Sequence, residues 1–187
     1  ATQEHRLVPL LVKGAKLWHL REKSTFYTAA AFWDRVKAVP RRSPVILVLG
    51  EIDCREGILR AIVKGKYANL GEAMQALAAL YLQLLTRLRK ELPGSRIYVH
   101  PIPQVLAETR LFTMTLNSLF GSEEMAKKLA KLDAHFLDFE PVFEGGEPAL
   151  SLGADGLSKL SLLSHLRLDG THYSPSYVAS HLEPALG

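Results

Sequence analysis

The sequence predicts an α/β protein: a three-layer α/β/α sandwich built around a mostly parallel sheet. Three observations carry that expectation. Val45-Ile46-Leu47-Val48-Leu49 is a continuous aliphatic run between Pro44 and Gly50, the pattern of a strand buried on both faces. Shorter apolar runs at Arg96–His100 and His135–Phe139 repeat that pattern. Between them lie longer stretches of helical period, so strands alternate with helices as in βαβ units, with helices expected on both faces.

Composition sets outer bounds. The chain has 187 residues, 48% hydrophobic and 22% charged, which suits one domain spanning 1–187 with a sizeable core. The net charge of +4 is spread along the chain, and Arg41-Arg42 and Lys127-Lys128 are only pairs. No nucleic-acid partner is expected from such scattered charge. Cys54 is the single cysteine, which rules out an intrachain disulfide and a cysteine-built zinc site. An intracellular or organellar location is therefore expected. No run reaches the ~18 apolar residues of a membrane span. The chain opens on Ala1-Thr2-Gln3-Glu4-His5 without Met or a signal-peptide pattern, and an upstream segment is expected.

The elements follow in order. Arg6–Val12 reads as a strand with Pro9 in an edge or irregular position, and Gly14 permits a positive φ at its exit. Ser24-Thr25 can cap a helix from Phe26 to about Val39, with Phe26, Ala30, Trp33 and Val36 or Lys37 spaced for one face. After the central strand, Cys54–Lys64 is a short helix ended by Gly65. The strongest helix starts at Asn69 or Leu70 and runs to Glu91, with Leu70, Met74, Leu77, Leu80 or Tyr81, Leu84, Leu85 and Leu88 in its apolar stripe. Leu106–Phe120 and a segment from Ser122 to about Leu132 are helical. Residues 144–158 read as a glycine-rich turn region, and Leu166–Leu168 as a brief extended segment. Ser174-Pro175 opens a terminal helix through about Leu182.

Two polar clusters are candidate sites. Gly50-Glu51-Ile52-Asp53-Cys54-Arg55 follows the central strand, where α/β sheets bind ligands. The same residues fit a polar βα loop with Asp53 capping the next helix. Cys54 beside Arg55 is a candidate thiolate or a small buried packing residue. Asp169-Gly170-Thr171-His172 offers an Asp that could orient a catalytic His, or simply a capped turn before the last helix. The remaining histidines show no metal-ligand spacing, so no metal site is expected.

The C-terminal LDGTHYSPSYVASHLEPAL resembles the last motif block of the SGNH (GDSL-type) hydrolases, in which a D-x-x-H pair supplies the triad Asp and His. Val12-Lys13-Gly14-Ala15 looks like that family's second-block glycine. Gly50-Glu51-Ile52-Asp53 stands where its G-x-N-D block follows the third strand, and GEIDCR looks like a subgroup variant. The resemblance implies a flavodoxin-like sandwich lacking its first strand. It also implies an esterase or acyltransferase acting on an ester or acylated substrate without a cofactor. In that reading His172 and Asp169 are catalytic, and Gly14, Gly50, Glu51, Asp53 and Arg55 form the oxyanion or site rim. Two departures stand out. No G-D-S nucleophile motif is present, and neither Ser24 nor Ser43 has a strand-to-turn context. Ile52 also replaces the oxyanion-hole Asn, a type of donor whose loss costs about 100- to 1,000-fold in rate. The triad is incomplete, and this chain alone is expected to be inactive unless a Ser is supplied upstream. The competing expectation is a pseudoenzyme, an SGNH-like domain acting as a structural subunit that binds other proteins.

Overall fold

A computed structural model describes residues 7–104, 106–137, 143–144, 161–162 and 174–182. Three short strands form a parallel sheet in the order β1-β2-β3: β1 (Val45–Leu47), β2 (Ile97–Val99) and β3 (Ala134–Phe136). The register aligns Leu47, Val99 and Phe136 in one row and Ile46, Tyr98 and His135 in the next. One further hydrogen bond extends each ladder at its carboxyl end, His100 N–H to the Leu47 carbonyl (3.0 Å) and Leu137 N–H to Val99 (2.9 Å). His100 is thus fixed at the end of the sheet by its own backbone.

The helices are α1 (Tyr27–Lys37), α2 (Ile58–Val63), α3 (Leu70–Glu91), α4 (Arg110–Phe120) and α5 (Glu123–Ala130). Helix α3 follows from its sequence at both ends. The Asn69 side chain accepts the Glu72 N–H (2.9 Å), and Glu72 accepts the Ala68 N–H (2.7 Å), a reciprocal cap that satisfies two orphan donors. Met74, Leu77, Tyr81, Leu84, Leu85 and Leu88 are buried along its stripe. Burying each side chain of this size stabilises by about 1.5–3 kcal/mol. The Tyr81 hydroxyl donates to the Leu47 carbonyl, and the Tyr81 ring meets Phe120 edge-on, which stacks on Phe136. Both α3 and α4 therefore pack on the Leu47–Val99–Phe136 row. On the alternate row Ile46 and Tyr98 are half-buried and His135 is exposed.

Several expectations need correction. Residues 7–12 form no strand, and Val8 and Leu11 are 68% and 70% exposed. Pro9 lacks a donor, so only part of that backbone could join a ladder. In α1 the buried face is Thr28, Ala29, Phe32, Trp33 and Val36, whereas Phe26 is 47% exposed. Ser24 and Thr25 do not cap α1: its N-cap is Phe26, without a side-chain hydrogen bond. Helix α4 starts at Arg110, after a 3-10 turn at Ala107–Thr109. A two-residue antiparallel pair, β4 (Phe143–Glu144) with β5 (Ser161–Leu162), was not anticipated. Leu166–Leu168 lies outside the described residues. Among those described, no helix is long and apolar enough to cross a membrane.

Candidate functional site at the carboxyl end of the sheet

The stretch after β1 is not a loop. Helical structure begins at Glu51 and continues to Val63, with a π-helical turn at Asp53–Gly57, where Ile58 N–H reaches back five residues to the Asp53 carbonyl. Asp53 consequently does not cap the helix it lies in. Gly50 makes the entry: its φ is +109°, and a Cβ there would come 2.8 Å from Ile102 Cδ1. Both the backbone conformation and the close approach of the next loop demand glycine.

The Asp53 side chain reaches backward along the sequence. Its carboxylate accepts the backbone N–H groups of Leu17 (2.7 Å) and Trp18 (3.1 Å). Those are the first donors of a 3-10 turn at Leu17–Leu20 that lacks a cap of its own. Asp53 is a long-range N-cap across 36 residues of sequence. Burial raises its carboxyl above the ordinary value, outweighing the two N–H groups and nearby Lys16 that favour the anion. Cys54 is fully buried, and burial together with Asp53 and Glu51 pushes its thiol up to about 12. The thiolate candidate is overturned: at neutral pH this group stays protonated and packs the core.

The other rim residues are occupied with one another. Arg55 Nε pairs with Glu51 one helical turn earlier (3.0 Å), and Lys16 Nζ with Glu56 (2.8 Å). Gly14 adopts φ +67° and is exposed, with open space where a Cβ would stand. Its backbone hydrogen-bonds His19, whose other contacts are a stack on Phe26 (4.1 Å) and Thr28 Oγ1 (3.0 Å). Asp53 thus brings the stretch after Gly14 to the start of the β1–α2 connection. Asp169 and His172 lie outside the described residues.

A second polar centre forms after β2, and the sequence reading gave it no chemical role. His100 is buried, its Nδ1 faces the Pro101 carbonyl, and its Nε2 lies 2.9 Å from the Tyr177 hydroxyl. Burial lowers the His100 pKa below its ordinary value, so the ring is neutral at pH 7. With Pro101 accepting from Nδ1–H, the Tyr177 hydroxyl donates to Nε2. Behind it, Asn117 holds Ile102 from both sides, accepting its N–H (2.7 Å) and donating to its carbonyl (3.0 Å). The buried Arg110 donates from Nε to the Gln104 carbonyl (3.4 Å). A His at a strand end followed by Pro101-Ile102-Pro103 was the only available signal; Tyr177 lies 77 residues away.

A cavity of about 430 Å³ adjoins Asp53 and Glu56, between the Leu17–Leu20 turn, α2 and α3. Among the described residues, no group of three or more His, Cys, Asp or Glu side chains is placed to hold a metal ion. The site defines an α/β protein with structural polar clamps at the carboxyl end of a parallel sheet. No protein-family model matches the chain, and neither a curated protein nor a solved structure does.

Proposed function

We propose that the chain belongs to an SGNH (GDSL-type) three-layer domain that hydrolyses or transfers the acyl group of an ester or acylated substrate. The observation that carries this reading is the docking of Tyr177 on His100 at the carboxyl end of β2. Tyr177 follows His172 by five residues in the sequence, and the reading expects the D-x-x-H segment at that same edge. The parallel order β1-β2-β3 and the Gly50 entry into α2 agree with such a domain. In this mechanism Asp169 orients His172, and His172 takes the proton from a Ser hydroxyl as it attacks the acyl carbon. Backbone N–H groups near Gly14 and Gly50 receive the oxyanion. The reading requires a serine delivered to that edge from outside these 187 residues.

A second reading, a catalytically inactive SGNH-like subunit that assembles with other proteins, is favoured by the state of the GEIDCR segment. Asp53 serves as a cap, Cys54 is sealed, and Ile52 provides no polar side chain. One experiment separates the two: turnover of p-nitrophenyl acetate by the full-length natural protein and by its His172→Ala variant. The enzyme reading expects activity that falls at least about 1,000-fold in the variant. Equal hydrolysis by both proteins excludes His172 as the base, and no hydrolysis by either supports the inactive subunit.

A further inference from the structure

The 430 Å³ cavity beside α2 combines two features that the clamps around it do not explain. Its floor is apolar, made by Ile58, Ala73, Leu77 and Leu80, and its volume falls within the range of small-molecule pockets. Its mouth is cationic, carrying Lys16, Arg60, Lys64 and Lys66. The two acids that line it are already engaged: Asp53 by the Leu17 and Trp18 N–H groups, Glu56 by Lys16. Among the described residues neither Lys64 nor Lys66 has a carboxylate within 4.0 Å.

Local structure holds these lysines in place. Gly65, at φ +69°, closes α2: its N–H bonds Ile62 (2.8 Å), and Lys66 N–H bonds Ala61 (2.9 Å). This glycine-ended cap occupies the Ala61 and Ile62 carbonyls and fixes the backbone that carries Lys64 and Lys66. Lys66 Nζ then lies 5.1 Å from the Trp18 ring, which Arg21 approaches at 4.5 Å, so the Trp18 ring orders Lys66 at the mouth.

We propose that this cavity binds an organic anion with an apolar body, the anionic group meeting Lys64 and Lys66 and the body filling the floor between α2 and α3. The inference is independent of the hydrolase reading, since neither Asp169 nor His172 takes part. Calorimetric titration of the purified chain with 2-naphthoate and with dodecanoate tests it, with 2-naphthamide and inorganic phosphate as single-feature controls. Saturable binding of at least one carboxylate is expected, about tenfold or more tighter than either control. The preferred carboxylate shows whether the body is a ring or a chain. Binding should weaken about tenfold or more in K64E/K66E, a change at two exposed positions, and independently in Ala61→Trp, which fills the cavity. Absence of saturable binding overturns the proposal. So does equal binding of 2-naphthamide or phosphate, or unchanged affinity in both variants.

Discussion

The helical segment after β1 and the loop after β2 place buried polar groups side by side at the carboxyl end of one sheet, yet they do opposite things. The first reaches backward: Asp53 captures Leu17 and Trp18 and ties the N-terminal stretch to the sheet. The second reaches forward: His100 receives Tyr177 and ties in the C-terminal helical segment. One clamp is a carboxylate that burial makes harder to ionise, the other an imidazole that burial makes harder to protonate. A polar residue at this edge is therefore a weak sign of catalysis until its partners are known. Here the partners are backbone donors and a tyrosine from the two ends of the described chain.

Breaking the first clamp should have the largest effect. Asp53→Ala leaves the buried Leu17 N–H and the part-buried Trp18 N–H unpaired and should cost about 2–3 kcal/mol, read as a lower denaturation midpoint. Asp53→Asn, which keeps an acceptor oxygen, should recover part of that loss. Equal losses in the two variants would show that the cap itself is unimportant.

The opposite pKa shifts sharpen the contrast. The folded His100 binds a proton only below its ordinary 6.5, so between those values the unfolded chain holds more protons. Its contribution to stability is complete above pH 6.5 and is lost as pH falls through the folded value. Asp53, raised above 3.8, contributes most below that value and loses its contribution as pH rises through the folded one. Between pH 7 and 5 the urea midpoint should therefore fall more, or rise less, in the parent chain than in His100→Gln. His19 is shifted the same way but is more exposed, so His19→Gln should flatten the profile less. Identical slopes in the parent and His100→Gln would remove His100 as the source.

The smallest effect belongs to the surface pair. Arg55→Ala breaks the Glu51 ion pair on a partly exposed helical face and should cost about 0.3–0.5 kcal/mol at low salt and less at high salt. A loss above roughly 2 kcal/mol would move Arg55 from the rim into the clamp.

Much of the frame was legible from residue order. The stripe from Met74 to Leu88 repeats at the helical period because one face of α3 must leave water. Asn69, Gly65 and Ser122 mark helix ends because orphan backbone groups need local partners. The run from Val45 to Leu49 announced a strand and its position before Gly50 located the site region, but the strand is confined to Val45–Leu47, of which only Leu47 is buried, and Val48 is 54% exposed. The candidate roles were much less legible. Asp53 has the composition of a local cap, and only the tertiary structure pairs it with Leu17 and Trp18. His100 and Tyr177 have no spacing that links them. Arg6–Val12 has strand chemistry, but a strand also needs an edge to pair with.

The sequence by itself therefore determined what depends on near neighbours: helix periods, caps, turns that need glycine, and the parallel order implied by alternating elements. The tertiary structure decided what depends on distant ones. It assigned Asp53 to a distant cap, sealed Cys54, joined His100 to Tyr177 and gathered cations from two segments over an apolar floor. The division is physical: a local hydrogen bond or apolar period is set within a few residues. Burial, pKa and partnership arise only when segments far apart in the chain are brought together and water is excluded between them.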